Sequence, residues 1–222
     1  MASSGQLGDG PVVVGVLLAA GGGSRLGRPK ATLVDGCGVP LIDRAVGALL
    51  YGGCGRVIVV LGAEAEAARA LLAGAGWTDD DDIEVALADD WADGLAASFR
   101  CGLDRAAGTA AVAAVVTLVD TPGANADVVR RLTEGASAGA LARATFDGVP
   151  GHPVLIGRVH WPAVRDRLQG DAGARDYLRG HHATEVECAD VGSGADLDTQ
   201  ADVDAWQART RGPTVDTAAS GP

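Results

Sequence analysis

Arg25 and Lys30 lie five residues apart, directly after Gly21-Gly22-Gly23, in a chain whose formal net charge is −11. Two long cations in one glycine-rich loop of an acidic protein suit a polyphosphate. Glycines let successive backbone N–H groups converge on one point, and the two side chains bring positive charge to it. Asp120 ends the apolar run Ala111 to Val119. A carboxylate there suits Mg²⁺, which takes oxygen ligands together with substrate phosphates; its alternative role is to cap a helix beginning near Pro122. Asp196 and Asp198 alternate around Leu197 and point the same way if the segment is extended. Spacing alone leaves them open between completing a metal site with Asp120 and lying in a solvated loop.

Two further segments carry side chains with chemical use. Gly94 to Ser98 opens a helical pattern, so its backbone amides and the Ser98 hydroxyl could read a base edge, or simply start a helix. His152 stands between Gly151 and Pro153, which predicts a constrained loop that presents the imidazole, although a lone histidine is more often structural. His160, His181 and His182 have no partner pattern and are expected on the surface. The acidic run Asp79 to Asp82 reads as a solvated turn.

These residues need elements to hold them. Short Val/Ile/Leu-rich runs predict strands at 12–19, 56–62, 83–88 and 112–119, with further strands at 140–146, 151–157 and 184–188. Helical patterns alternate with them at 40–51, 64–73, 95–106, 124–134, 161–168 and 173–180. A last helix starts at Thr199, where Asp202 completes a capping box. Leu41, Ile42, Ala45, Val46, Leu49 and Leu50 give the first helix one apolar stripe. Such alternation predicts a mostly parallel sheet covered by helices on both faces, with ligands beyond the carboxyl ends of the strands. The glycine loop follows the first strand and Asp120 the fourth, so both should face one crevice.

Composition narrows the function classes. A −11 charge argues against nonspecific nucleic-acid or anionic-membrane partners, so phosphate must be captured locally. The longest apolar run, Val12 to Ala20, has nine residues, against about 20 for a transmembrane helix. Residues 1–10 lack the features of a signal peptide, and a cytoplasmic location is expected. Cys37, Cys54, Cys101 and Cys188 form no metal-type pair and are expected as reduced, partly buried thiols. Residues 1–10 and 209–222 read as flexible tails around one domain at 11–208.

The loop excludes two common readings. Gly21-x-Gly23-x-x-Leu26 breaks the G-x-G-x-x-G dinucleotide fingerprint, no acidic residue ends a second strand at the distance NAD needs, and no G-x-x-x-x-G-K-[ST] is present.

Taken in order, Leu18-Ala19-Ala20-Gly21-x-Gly23-x-Arg25-x-Gly27-x-x-Lys30, Gly94-Leu95-Ala96-x-Ser98, Asp120-x-Pro122, Gly151-His152-Pro153-Val154-Leu155, Gly170-Asp171-x-Gly173-Ala174-Arg175 and Asp196-x-Asp198-Thr199 cover residues 12 to about 206. Together they resemble the molybdenum cofactor nucleotidyltransferases, the MobA-like NTP transferase family. The resemblance implies a three-layer α-β-α, Rossmann-like fold of the nucleotide-diphospho-sugar transferase type. It also implies transfer of a nucleoside monophosphate from an NTP to a phosphorylated acceptor, with release of pyrophosphate. Residue by residue, Arg25 and Lys30 would be catalytic. Leu18, Ala19, Ala20, Gly21, Gly22, Gly23 and Ser24 would bind the nucleotide with them, joined by Gly94 and Ser98. Asp120 and Asp198 would hold Mg²⁺. Thr121, His152 and Arg175 would meet the acceptor.

The Leu-Ala-Ala-Gly form of the loop looks like the cytidylyltransferase branch, which favours CTP over GTP and implies a molybdopterin-type acceptor with a molybdoenzyme as a further partner. In Val119-Asp120-Thr121-Pro122, Thr121 departs from the residue the family commonly places beside the metal aspartate. Guanylyl transfer to the same cofactor, cytidylyl transfer to a sugar or polyol phosphate, and a noncatalytic cofactor-delivery protein are the alternatives.

Overall fold

A computed structural model describes residues 12–211. Seven strands form one sheet: β1 (Val13–Ala19), β2 (Arg56–Leu61), β3 (Ile83–Leu87), β4 (Ala113–Leu118), β5 (Leu141–Phe146), β6 (Val149–Gly157) and β7 (Thr184–Glu187). Their order is β3-β2-β1-β4-β6-β5-β7. All neighbouring pairs are parallel except those of β6, which runs antiparallel to both β4 and β5. The mostly parallel sheet expected from the sequence is therefore present, with one reversed strand in its second half.

The helices are α1 (Leu41–Tyr51), α2 (Ala65–Gly74), α3 (Leu95–Ala107), α4 (Ala126–Thr133), α5 (Trp161–Arg165), α6 (Arg175–Gly180) and α7 (Gln200–Thr210). Because β1 is buried on both faces, its alternating side chains feed two separate cores. Val13 and Leu17 pack with residues of α1, α2, α4 and α7, while Val14, Val16 and Leu18 pack with residues of α3, α5 and α6. The period of two along a strand produces this division, and it makes the three-layer sandwich.

Local signals explain the helix ends. Thr199 accepts from the Asp202 amide while the Asp202 carboxylate accepts from the Thr199 amide, the capping box read in the sequence. Asn125 caps α4 by accepting from the Asp127 and Val128 amides, which leaves Asp120 free of a capping role. α7 runs on to Thr210, whose hydroxyl accepts from the Gly36 amide at 2.8 Å. Residues 1–11 and 212–222, which hold nearly all of the two expected tails, lie outside the described residues.

All four thiols are free, and burial pushes that of Cys54 up to about 12. Among the described residues no helix is long and apolar enough to cross a membrane.

Candidate active site

Parallel register sets the two strand ends side by side. Leu18 of β1 pairs with Leu118 of β4, and the Val119 amide donates to the Leu18 carbonyl at 3.1 Å. The segments that leave these strands, Ala20 onward and Asp120 onward, consequently enter one crevice. The glycine loop then folds back on itself: the Leu26 and Gly27 amides both donate to the Gly23 carbonyl at 2.9 Å. Gly23 has φ +63°, and a Cβ there would fall 1.9 Å from the Arg28 carbonyl oxygen. Only glycine fits, and the turn it permits returns the chain to Lys30 at the base of the crevice.

Lys30 is the hub. Its Nζ donates to Asp120 Oδ2 at 2.7 Å and to Asp198 Oδ1 at 2.6 Å, and Arg25 Nη1 reaches Asp198 Oδ2 at 2.9 Å. Burial works against the Lys30 ammonium, but the hydrogen bonds and charges of Asp120 and Asp198 outweigh it and hold its pKa above the ordinary value. The Lys30 hydrogen bond and charge, with help from Arg25, hold Asp198 below the usual carboxylate range. Asp196 moves the other way: desolvation and the neighbouring charges of Asp120 and Asp198 raise it. Leu197 is buried between these two aspartates, and its amide donates to the Asp120 carbonyl at 3.0 Å. Asp120 Oδ1 is buried and meets no hydrogen-bond partner among the described residues.

A cavity of about 600 Å³ opens at this hub. Gly21, Gly22, Gly23 and Ser24 of the glycine loop line it, with Leu18 and Ala20 from the end of β1 and Gly94 and Ser98 from the start of α3. Arg25, Lys30, Asp120 and Asp198 close its polar end. Ala19 does not join them. It is the last residue of β1, and strand alternation turns its methyl into the core shared with the α1 layer.

A second cavity of about 410 Å³ shares Leu18, Leu95, Leu118 and Asp171 with the first. His152 and Arg175 line it, as do Asp196 and Arg143. Of the three residues expected at the acceptor, Thr121 is elsewhere. It is 5% exposed, lines neither cavity, and spends its hydroxyl on the Leu118 carbonyl at 2.8 Å. The turn after β4 presents Asp120 to the crevice and rotates the next side chain inward.

His152 lies within β6, as the expected strand at 151–157 has it, and not in the constrained loop that its glycine and proline neighbours suggest. Pro153, which cannot donate to a ladder, is accommodated because the β5–β6 register shifts between Arg143 and Thr145, opposite it. Burial lowers the His152 imidazole, opposed by a backbone hydrogen bond at Val116 and the charge of Asp120, and its Nδ1 has no partner among the described residues. His160 is not a free surface residue: its Nδ1 lies 2.9 Å from the Tyr177 hydroxyl, and His181 stacks on the same ring at 3.9 Å.

Trp91 and Arg143 line these cavities without having been anticipated, and Asp171, part of the Gly170-Asp171-x-Gly173-Ala174-Arg175 motif but given no role of its own, lines both. Arg143 carries no spacing signal, and Trp91 could have been suspected only from its place just ahead of Gly94.

Comparison with known proteins places this geometry. Residues 15–186 match the model of the MobA-like NTP transferase domain. The chain is 37% identical over 202 residues to a nicotine blue oxidoreductase of Paenarthrobacter nicotinovorans, covering 86% of this chain and 94% of that one. It is 35% identical over 156 residues to a molybdenum cofactor guanylyltransferase of Rhodobacter capsulatus, covering 70% and 69% respectively. Among solved structures, Rv0371c of Mycobacterium tuberculosis H37Rv superposes with a TM-score of 0.73 at 26% identity over 89% of this chain and 98% of that one. The same protein in complex with manganese gives 0.71 at 24% identity, with the same coverage.

Proposed function

The chain belongs to the MobA-like NTP transferase family and is a nucleotidyltransferase, and we propose that it transfers CMP from CTP to the phosphate of a molybdopterin-type acceptor, releasing pyrophosphate. The observation that carries this reading is Lys30 bridging Asp120 and Asp198 at the polar end of a cavity walled by the glycine loop, with a second cavity alongside.

The chemistry follows from positions and charges. An acceptor phosphate oxygen attacks the α-phosphorus of the NTP, the new O–P bond forms, and the bond to the bridging oxygen of pyrophosphate breaks. No protein nucleophile is required, so catalysis rests on orientation and on stabilising negative charge. Lys30 and Arg25 would meet the charge developing on the α-phosphate and the departing pyrophosphate, while the loop amides fix the triphosphate. Ser98 and Gly94 would face the base. In the second cavity His152 and Arg175 would receive the acceptor. Asp120 and Asp198 fit Mg²⁺: Asp120 Oδ1 is buried without a partner among the described residues, and two carboxylates are what this ion takes when phosphates supply other ligands. The ion would supply Lewis-acid neutralisation of phosphate charge.

The base rests on the Ala19-Ala20 form of the loop, and the Rhodobacter capsulatus relative makes GTP the first competitor. Pyrophosphate release measured with CTP and with GTP, each against molybdopterin and against sugar and polyol phosphates, tests both choices. Release with CTP and molybdopterin alone supports the proposal. Release only with GTP moves the base, and tight nucleotide binding without turnover in every arm supports a delivery protein instead.

A second reading follows the Paenarthrobacter nicotinovorans relative, which aligns over more of the chain and at higher identity. In it the two adjoining cavities would hold a reduced nicotinamide dinucleotide and an organic acceptor of hydride. The broken G-x-G-x-x-G spacing weighs against it. Oxidation of NADH or NADPH dependent on acceptor, with no pyrophosphate from any NTP, would favour it.

A further inference from the structure

Three of the four tryptophans are explained by packing. Trp77 Nε1 donates to Asp43 at 2.7 Å, Trp161 Nε1 donates to the Ile156 carbonyl at 2.8 Å, and Trp206 is buried in the core of the α7 layer. Trp91 is not. It is 36% exposed, it lines the nucleotide cavity, and among the described residues its indole N–H meets no acceptor. An exposed indole on the wall of a cavity that also holds charged side chains is neither buried for stability nor satisfied as a donor.

Its position is nevertheless fixed. The Trp91 amide donates to the Ala88 carbonyl at 3.1 Å, and the Trp91 carbonyl accepts from the Gly94 amide at 3.2 Å. One glycine makes room for the root of the ring and a second, far away in sequence, lies in van der Waals contact with its far edge. A Cβ on Gly62 would fall 2.6 Å from Trp91 Cβ and Cγ, and one on Gly22 would fall 3.4 Å from Cζ3. The root of the indole is thus wedged against the segment leaving β2, and its six-membered ring lies along the glycine loop.

Charge says which part of a ligand this wall suits. Asp89, Asp90 and Asp93 flank Trp91 and are exposed, which disfavours phosphate there. Arg25 and Lys30 line the same cavity and supply its positive charge. A long ligand with an anionic end and an uncharged flat end would lie with its ring against Trp91.

We propose that Trp91 stacks on the nucleobase of the bound NTP and raises affinity for nucleotides above that for bare triphosphate. This rests on the nucleotide reading of the cavity. Purines present more ring surface than pyrimidines, so GTP should depend on Trp91 more than CTP does.

Calorimetric titration of the full chain with CTP, GTP and inorganic tripolyphosphate, in the presence of Mg²⁺, tests it with Trp91→Ala and Trp91→Phe. Removing an aromatic platform should weaken nucleotide binding by about 5- to 100-fold, the range of base–aromatic stacking. Tripolyphosphate affinity should stay unchanged, which also shows that the variant folds. Phenylalanine should restore most of the loss, and nucleotide should quench tryptophan emission in the parent but not in Trp91→Phe. Unchanged nucleotide affinity in Trp91→Ala, or an equal loss for tripolyphosphate, overturns the proposal while leaving the nucleotide site standing. Failure of the parent chain to bind any nucleotide overturns both.

Discussion

Lys30 donates to Asp120 across 2.7 Å, joining the loop after β1 to the end of β4 although the two residues stand 90 apart in the chain. Both side chains are mostly buried, at 15% and 19% exposure, so the pair is held by its surroundings rather than by chance at the surface. A cation fixed this way is preorganised for phosphate charge. Lys30→Ala should lower kcat/KM for pyrophosphate release by about 10²–10³, the usual cost of one preorganised charge-stabilising donor. Continuous pyrophosphate detection measures it, and near-parental turnover would remove Lys30 from the mechanism.

Gly23 tests the loop separately from its charges. Alanine there must adopt φ +63° and place its Cβ 1.9 Å from the Arg28 carbonyl oxygen, so the loop has to open. Left-handed backbone alone costs a non-glycine residue about 1–3 kcal/mol. Gly23→Ala should therefore weaken NTP binding by about tenfold or more while the far-ultraviolet circular dichroism of the domain stays parental. Parental nucleotide affinity in this variant would mean that the loop does not hold the triphosphate.

Asp198 separates a metal role from a purely electrostatic one. Its two oxygens meet Lys30 and Arg25, and an amide in its place keeps one acceptor oxygen while turning an NH2 donor toward the other cation. Asp198→Asn should raise the Mg²⁺ concentration for half-maximal turnover by about 10- to 100-fold, as happens when a residue supporting a bound metal is lost. Chelation of divalent metal should stop turnover in the parent, and re-addition should restore it. An unshifted Mg²⁺ midpoint in Asp198→Asn would assign the aspartate to holding Lys30 alone.

The strands were legible because runs such as Val12 to Ala20 leave no alternative of that length, and Asp120 was legible because a strand's end fixes where the next residue goes. What sequence could not supply was orientation beyond that point. Thr121 follows Asp120 directly, yet the turn aims its hydroxyl at Leu118. Gly151 and Pro153 suggest a loop at His152 inside the expected strand 151–157, because the compensating register shift belongs to β5, a different strand. Trp91 owes its place to Gly62, and its ring meets Gly22 of another connection. The His152 and Trp91 settings are built by distant segments, whereas Thr121 is turned by its own local turn.

Glu187 gives a prediction outside the cavities. Though exposed at the end of β7, its carboxylate accepts from the amides of Ala189, Gly148 and Asp147, each at 3.0 Å, and from the Thr145 hydroxyl at 2.9 Å. It thereby ties the turn between β5 and β6 to the last strand. The Ala189 and Gly148 amides lead in lowering its pKa from 4.5 to about 2. The folded value lies below the unfolded one, so the contribution to stability is complete above pH 4.5 and is lost as pH falls toward 2. Glu187→Gln should accordingly be less stable than the parent at pH 7, and the difference should narrow steadily below pH 4.5 as the parent's own carboxylate loses its advantage. Urea unfolding of both chains at pH 7, 4.5 and 3 checks this. A gap that stays constant across that series would show that the charge of Glu187, as distinct from its shape, contributes nothing to the joint between β7 and the β5–β6 turn.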